Sequence, residues 1–223
     1  MAKEKLTMRK LILKMSISVD GFVCGPDGEL DWIFKSYDSG ATDWTMKTLW
    51  NAGIHIMGSR TFRDMAAHWP TSDEVFAAPM NEIPKAVFTK KGLIKSPSIE
   101  SITAASKDTS RSNGVNGTIL LNDKQFKKTN WEGSEVIGGD LAKEIGRMKQ
   151  QLGKDILAHG GARFAQNLVS LGLVDEYRLL IHPIVLGTGL PLFSGLTAPV
   201  HLKLVDKETF DSGAAAHIYQ PYQ

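Results

Sequence analysis

The stretch "DILAHGGARFAQNLV", residues 155–169, changes its hydrophobic period at Gly160 and Gly161. Asp155–His159 is a short apolar run typical of a buried strand, and from Ala162 onward the apolar residues recur at helical spacing. Two glycines between a strand and a helix let the backbone approach a ligand closely, with the N–H groups of the helix start aimed at it, as in many phosphate sites. A glycine pair is also typical of a tight turn, so this stretch alone leaves both interpretations open.

Composition indicates one globular domain. The chain has 223 residues, of which 42% are hydrophobic and 22% charged, which is near the usual globular values. A chain of this length buries roughly 70 to 75% of its unfolded surface on folding. We therefore predict a single domain over residues 1–223. The formal net charge of +2 is too small to favour a nucleic-acid partner.

Cysteine and histidine usage argues against a metal centre. Cys24 is the only cysteine, which excludes an intramolecular disulfide and a thiolate zinc cluster and favours the cytoplasm. The six histidines show no ligand-like spacing, so no metal is expected. Lys14 and two serines interrupt the apolar run after the basic start, and nowhere do about 18 apolar residues follow one another, so neither a signal peptide nor a membrane span is predicted.

Strand and helix patterns alternate along the chain. Strands are predicted at 11–19, 53–58, 84–91, 155–159 and 176–187, with two more within 201–222 joined by a turn at Asp211-Ser212-Gly213. Helices are predicted at 43–51, 59–69, 140–152 and from Ala162 to about Gly172. This order predicts a mostly parallel sheet covered by helices on both faces, with antiparallel edges from the last hairpin. Residues of about 95–130 are polar and are expected to form an insertion, which is a lid, an interaction arm or a disordered segment.

Three strand ends carry residues suited to phosphate. They are "IMGSRTF" with Gly58, Ser59, Arg60 and Thr61, "VFTKK" with Thr89, Lys90 and Lys91, and the turn at Gly160 and Gly161. Ser59 is expected to cap a helix start, which carries about half a positive charge, and two lysines suit the 2′-phosphate of NADP. Each junction alone is more typical of an ordinary capped helix or turn. Ligands in open α/β sheets bind beyond the carboxyl ends of the strands, so three such junctions on one sheet favour a dinucleotide.

The chain resembles the dihydrofolate reductase-like superfamily in a series of segments taken in order: "SVDGFVCGPDGELDW", "IMGSRTF", "KAVFTKK", "ILAHGGARFAQNLVSLGLVDEYRLLIHPIVLGTGLPLF" and the closing hairpin. It is more closely similar to the reductase domain of riboflavin biosynthesis, the RibD C-terminal type, and its stand-alone bacterial relatives. The similarity covers nearly the whole chain except about 95–130. It implies an α/β, dihydrofolate reductase-like fold, with a mostly parallel central sheet flanked by helices and a C-terminal antiparallel hairpin. It also implies an NADPH-dependent reductase of a small polar heterocyclic or sugar-like substrate, usually a homodimer.

The resemblance also implies residue roles. Gly58, Ser59, Arg60 and Thr61 match the pyrophosphate-binding helix start, Thr89 and Lys90 the contact to the 2′-phosphate, and Gly160, Gly161, Ala162 and Arg163 the glycine-rich turn beside the cofactor. Ser18, Val19 and Asp20 lie where the first strand meets the nicotinamide, and Asp31 and Trp32 lie in the family's mobile loop over the substrate, whose closure excludes water.

Some positions depart from the family patterns. Trp32 is followed by "IFKSY", which lacks the carboxylate of a dihydrofolate reductase and argues against a pterin substrate. "DMAAHWP" stands where the riboflavin enzyme has an Asp-Asp-Pro stretch, so His68 and Trp69 either line a different pocket or pack. The general acid is expected to be Asp31, with Asp20 second and a bound water as the alternative.

Several functions remain open at this stage. The chain is expected either to reduce a ribosylaminopyrimidine phosphate, as 5-amino-6-(5-phosphoribosylamino)uracil reductase does, or to reduce an unrelated metabolite or xenobiotic. A basic pocket favours the first, and an apolar pocket lined by Trp32 and Trp69 favours the second. A non-catalytic NADPH-binding or interaction module is the alternative from a different class. No membrane and no nucleic-acid partner is expected.

Overall fold

The structure is a computed structural model that describes residues 8–89 and 130–222. Its strands are β1 (Leu11–Ser18), β2 (Phe22–Cys24), β3 (Ile54–Gly58), β4 (Lys85–Phe88), β5 (Glu135–Ile137), β6 (Ile156–Ala158), β7 (Glu176–His182), β8 (Leu190–Pro191), β9 (Leu202–Thr209) and β10 (Ala215–Pro221). Its helices are α1 (Asp31–Phe34), α2 (Ser39–Trp50), α3 (Ser59–His68), α4 (Ala77–Glu82), α5 (Leu141–Lys149) and α6 (Ala162–Ser170), with a 3₁₀ turn at Trp69–Thr71.

Eight strands form one central sheet in the order β5-β4-β3-β6-β1-β7-β10-β9. The first six are parallel to one another, and β10 pairs antiparallel with both β7 and β9. The prediction of a mostly parallel, helix-flanked sheet with a C-terminal antiparallel hairpin is confirmed. A separate two-stranded sheet joins β2 to β8.

Alternating side chains of the central strands form two apolar layers. On one face Leu11 and Leu13 of β1 pack with Ile145 of α5 and Phe164 and Leu168 of α6. The other face, which we call the α2/α3 face, carries a second cluster that includes Ile12, Leu49, Met57, Phe62 and Trp131. Burying each large apolar side chain contributes about 1.5 to 3 kcal/mol, so both layers hold the sheet in place.

Several predicted boundaries are wrong. The helix expected from Asp43 begins at Ser39, because the Asp38 carboxylate caps it by accepting from the backbone N–H of Ala41 at 2.8 Å. The strand expected to reach Gly187 ends at His182, directly before Pro183, which has no N–H to donate to a ladder. The helix expected to reach Leu152 ends at Lys149.

Five short elements were not predicted: β2, α1, α4, β5 and β8. The polar stretch expected at about 95–130 lies outside the described residues, apart from Asn130. Among the helices of residues 8–89 and 130–222, none has the length and apolar character needed to cross a bilayer.

Candidate functional site

The three predicted junctions meet at one edge of the sheet. β3, β4 and β6 are neighbours and parallel, so their carboxyl ends lie side by side. α3 begins directly after β3, and α6 follows β6 after a three-residue turn. Ligands of open α/β sheets bind at such an edge, which makes it the candidate cofactor site.

The hydroxyl of Thr61 joins two of these junctions. Its Oγ1 accepts a hydrogen bond from the backbone N–H of Gly161 at 3.0 Å. A Cβ added to Gly161 would lie 2.7 Å from that same oxygen, and one added to Gly160, whose φ is +80°, would lie 2.7 Å from the Met15 sulfur. The two glycines therefore let the turn pack directly on α3 and β1, and they place the starts of α3 and α6 next to each other.

The start of α3 differs in one detail from the prediction. Ser59 is the first helical residue and not its cap, because Gly58 occupies the cap position with an extended backbone, and no side chain caps this helix. A Cβ on Gly58 would approach the Phe164 side chain of α6 to 3.3 Å. The small residue therefore also serves the close packing of the two helices.

Two arginines flank the paired helix starts. Arg60 on α3 and Arg163 on α6 are exposed, and neither forms an ion pair with any residue in 8–89 or 130–222. Ala162 begins α6 next to Arg163. Two partial positive charges from helix dipoles and two guanidinium groups give a donor set suited to a diphosphate.

The second predicted junction is described only in part. The backbone N–H of Thr89 donates to the carbonyl of Ile137 on β5 at 3.0 Å, so the chain leaves β4 beside β5. Lys90 and Lys91 lie outside the described residues, and their contact to a 2′-phosphate stays a prediction.

A hydrogen-bond network fixes the chain after β1. The buried Ser18 hydroxyl donates to the Asp20 carboxylate at 2.6 Å and accepts from the N–H of Phe22 at 3.0 Å. The Asp20 carboxylate also accepts from the backbone N–H groups of Leu186 at 3.2 Å and Gly187 at 2.8 Å. The Ser18 hydroxyl, together with the Gly187 and Leu186 N–H groups, lowers the pKa of Asp20, which favours a structural role for this carboxylate over proton donation. Val19 is exposed at the carboxyl edge of the sheet.

The glycine-rich segment 187–192 contains strand β8. β8 pairs with β2, and Gln166 of α6 donates its Nε2–H to the Pro191 carbonyl at 2.7 Å. A Cβ on Gly189, whose φ is +151°, would overlap the Cys24 carbonyl oxygen. Cys24 is buried.

The α1 residues differ from each other in exposure. Asp31 is the exposed first residue of α1, whereas Trp32 is buried. The Trp32 Nε1–H donates to the Glu29 carbonyl at 3.1 Å, and its ring meets the edge of the His182 ring at 5.4 Å between centroids. Asp31 as general acid stays a prediction.

His68 and Trp69 lie at the other end of α3 from Ser59, which for ten residues is a separation of about 15 Å. His68 is exposed and its Nε2 lies 2.9 Å from the Glu74 carboxylate. Trp69 packs against the cluster of the α2/α3 face, and its carbonyl accepts from the Asn81 amide. These contacts favour packing roles, and the structure does not bring the pair to the junctions.

Three histidines with a buried ring nitrogen were missed by the sequence reasoning. His55 Nδ1, His159 Nε2 and His182 Nε2 are buried without a hydrogen-bond partner among the described residues. Burial lowers the pKa of His55 to about 3 and that of His182 to about 4, and it lowers the pKa of His159 well below its usual value. The signal available in the sequence was a histidine at the end of two apolar strands, at His159 and His182.

Among residues 8–89 and 130–222, no three His, Cys, Asp or Glu side chains form a group that could hold a metal ion.

Comparison with known proteins gives one family. The model of the RibD C-terminal domain matches residues 9–216. Over 214 residues the chain is 31% identical to the uncharacterized protein YyaP of Bacillus subtilis (strain 168), covering 96% of each chain.

Solved structures share the fold at low sequence identity. A putative riboflavin biosynthesis protein from Shewanella sp. PV-4 superposes with a TM-score of 0.65 at 18% identity, covering 96% of this chain and 99% of that one. A diaminohydroxyphosphoribosylaminopyrimidine deaminase/5-amino-6-(5-phosphoribosylamino)uracil reductase from Thermotoga maritima gives 0.62 at 16% identity, covering 96% and 57%. Dihydrofolate reductase from Enterococcus faecalis, complexed with NADP(H), gives 0.54 at 13% identity, covering 97% and 99%. The dihydrofolate reductase-like fold is confirmed.

Proposed function

Because the chain belongs to the RibD C-terminal domain family, we propose that it is an NADPH-dependent reductase that transfers hydride to a small polar heterocyclic or sugar-like substrate. The observation that carries the proposal is the pair of helix starts joined by the Thr61 hydroxyl and the Gly161 N–H. Of the proteins with this fold, the dihydrofolate reductase of Enterococcus faecalis is complexed with NADP(H).

The residues present fit the cofactor. Gly160 and Gly161 have no room for a Cβ beside Met15 and Thr61, so the turn keeps the starts of α3 and α6 adjacent. The exposed guanidinium groups of Arg60 and Arg163 have no carboxylate partner in the described chain. In this proposal the two helix starts and the arginines hold the pyrophosphate, while Thr89 and Lys90, with Lys91, hold the 2′-phosphate.

NADPH, when bound, supplies the hydride. The chain's own contribution is orientation and water exclusion. Ser18 and Val19 at the end of β1 are proposed to face the nicotinamide, and the network around Asp20 fixes their backbone. Trp32, held by the Glu29 carbonyl, is proposed to close the site against water. Asp31, exposed at the start of α1, is the proposed proton donor.

The test of cofactor binding is a titration with NADPH and with NADH, followed by quenching of tryptophan fluorescence and by thermal shift. We expect strong preference for NADPH and loss of that preference in Lys90→Ala. Binding of neither cofactor would contradict the proposal. Preferential NADPH binding without hydride loss across a broad substrate panel would point instead to a non-catalytic NADPH-binding module.

The assembly and location are also proposals. We propose a homodimer in the cytoplasm, on the basis of the family resemblance and the single cysteine. Light scattering on the purified chain tests the dimer, and a mass near the monomer value of 24.5 kDa would contradict it.

A further inference from the structure

A single hydrogen bond ties residues 26–36, which we call the α1 segment, to a distant part of the described chain. The other hydrogen bonds of the segment stay within residues 25–36: the Trp32 Nε1–H donates to the Glu29 carbonyl at 3.1 Å, and the backbone N–H of Ser36 donates to the Ile33 carbonyl. Within residues 8–89 and 130–222, only the bond between Ser36 Oγ and His182 Nδ1, at 2.7 Å, leaves this neighbourhood. The position of α1 therefore depends strongly on this contact.

His182 is held rigidly at the carboxyl end of β7. The parallel pairing of β1 with β7 extends from Ile12 and Glu176 to Ser18 and His182. Beyond that last pair, the two chains stay joined, because the backbone N–H of Val19 donates to the Ile184 carbonyl at 2.9 Å. A side chain on a rigid strand is well placed to fix a short helix that has few outside bonds of its own.

The His182 ring contacts the α1 segment at a second point. Trp32 meets it edge-on, with 5.4 Å between the ring centroids and 87° between the ring planes. Trp32, Ser36 and His182 are each at most 8% exposed. Buried polar groups in folded proteins are hydrogen-bonded, and here the Ser36 hydroxyl and the imidazole satisfy each other. Moving α1 away from β7 would break this bond and separate the two rings.

The protonation state of His182 suits this contact. Burial, and to a smaller extent Lys14, lowers the pKa of His182 to about 4, so the ring is neutral near pH 7. A neutral imidazole has one donor and one acceptor nitrogen, and a hydroxyl group bonds either kind. No charge has to be buried when α1 lies against β7.

α1 carries the two residues to which the proposed function gives a role in this region. They are Asp31, the proposed proton donor and first residue of the helix, and Trp32, the side chain proposed to exclude water. A displacement of about 1 Å between reacting groups can cost a large part of an enzyme's rate. The residue that fixes α1 therefore fixes both groups.

We infer that His182 is a positioning residue, which holds α1 at the adjoining carboxyl ends of β1 and β7 through the Ser36 hydroxyl and the Trp32 ring. The part that α1 plays in the reaction rests on the proposed function. The tie between His182 and α1 does not, and it is tested without a ligand.

The first test is hydrogen–deuterium exchange of the purified protein, measured by mass spectrometry on peptides from residues 26–36 and from α2. Ser36→Ala removes the hydroxyl of the tie. The amides of residues 26–36 should then exchange about fivefold to tenfold faster, because the loss of one hydrogen bond changes a local opening equilibrium by about that factor. His182→Leu should have the same effect or a larger one, and the amides of α2 should exchange as in the parent.

Matched variants separate this tie from a general loss of contacts. His182→Asn places an amide near the Nδ1 position and should keep most of the protection of residues 26–36. Tyr37→Phe removes a hydroxyl that is bonded to Thr45 Oγ1 at 2.6 Å, the next such bond along the chain, and should leave these amides unchanged. Ser36→Ala combined with His182→Leu should exchange no faster than His182→Leu alone, because both changes remove the same bond.

The second test measures access to the bound cofactor. NADPH fluorescence is followed in the complex while acrylamide is added as a quencher. Ser36→Ala should raise the quenching constant of the bound nicotinamide and leave NADPH affinity unchanged, whereas His182→Asn should behave as the parent does. If His182 only stabilised the fold, these variants would lower Tm without changing the quenching constant.

Two results of the exchange experiment overturn the inference. One is unchanged exchange of residues 26–36 in Ser36→Ala and His182→Leu. The other is faster exchange spread equally over residues 26–36, α2 and the sheet, which would make His182 an ordinary core residue. If His182→Leu does not fold, Ser36→Ala decides by itself.

The exchange test also separates this inference from the proposed function. If the parent does not bind NADPH, the proposed function is wrong, and the exchange of residues 26–36 still decides whether His182 holds α1. If NADPH binds and Ser36→Ala changes neither exchange nor quenching, the inference fails alone.

Discussion

The Thr61 hydroxyl accepts the backbone N–H of Gly161 at 3.0 Å, so that residues 100 positions apart join the starts of α3 and α6. This bond uses one of the N–H groups that the glycine pair was expected to offer a phosphate. The glycine-rich turn therefore packs against α3 and also brings the starts of α3 and α6 next to each other.

Thr61→Val tests the hydrogen bond between Thr61 and Gly161. It keeps the shape of the side chain but removes the acceptor, which leaves the Gly161 N–H unpaired. We expect the free energy of unfolding to fall by about 1 kcal/mol and NADPH affinity to fall several-fold, as measured by urea unfolding and by fluorescence titration. Thr61→Ser keeps the acceptor and is the control. Unchanged NADPH affinity in Thr61→Val would show that the relation of the two helix starts does not matter for the cofactor.

Arg60→Ala tests the pyrophosphate role of the helix start. Arg60 and Arg63 are both exposed on α3, but only Arg60 lies in its first turn. Removing a charge-assisted hydrogen bond should weaken NADPH binding about tenfold or more, with a smaller salt dependence, whereas Arg63→Ala should bind as the parent does. Equal effects of the two substitutions on NADPH affinity would mean that Arg60 contributes only general surface charge.

The sequence patterns predicted the strands and helices that are long enough to show a period of apolar residues. β1, β3, β4 and the β6–α6 unit were evident from local periodicity and glycine placement. β2 and β8 were missed because strands of three and two residues are too short to show a period. The start of α2 was missed although its cap, Asp38, was visible, because Gly40 inside the first turn obscured the helical pattern.

The candidate site also contains residues that the sequence predicted and residues that it did not. The junction residues from Gly58 to Thr61 were found because a strand, a glycine and a helix start follow one another directly. The burial of the His159 and His182 ring nitrogens was not found, because it depends on the neighbours that the sheet order gives to β6 and β7, and no spacing in the chain encodes that order.

Asp20→Asn should lower stability in a pH-dependent way. The pKa of Asp20 is lowered by the Ser18 hydroxyl and by the Gly187 and Leu186 N–H groups, so the folded state binds a proton less readily than the unfolded state. The stability from ionised Asp20 is then present above the unfolded pKa and is lost as pH falls through the folded pKa. We expect the difference in Tm between parent and variant to have its largest value at pH 6 and to become smaller below about pH 4. A difference independent of pH would mean that the carboxylate charge contributes nothing to this network.

Lys85→Met tests a buried cation on the α2/α3 face. Lys85 is buried, its Nζ donates to the Ile83 carbonyl at 2.6 Å, and it lies over the Trp131 ring at 4.6 Å. Burial lowers the pKa of Lys85 to about 7, so between pH 7 and about pH 10 the unfolded chain holds a proton that the folded chain has released. The stability of the parent should therefore rise with pH through this range, and Lys85→Met should lack that rise. Urea midpoints of both proteins from pH 6 to 9.5 measure the effect. Relative to the parent, the midpoint of the variant should be highest at pH 6 and should fall steadily as pH rises. A difference that stays constant with pH would mean that Lys85 keeps its ordinary pKa, because the Trp131 ring and the Ile83 carbonyl compensate its charge in full.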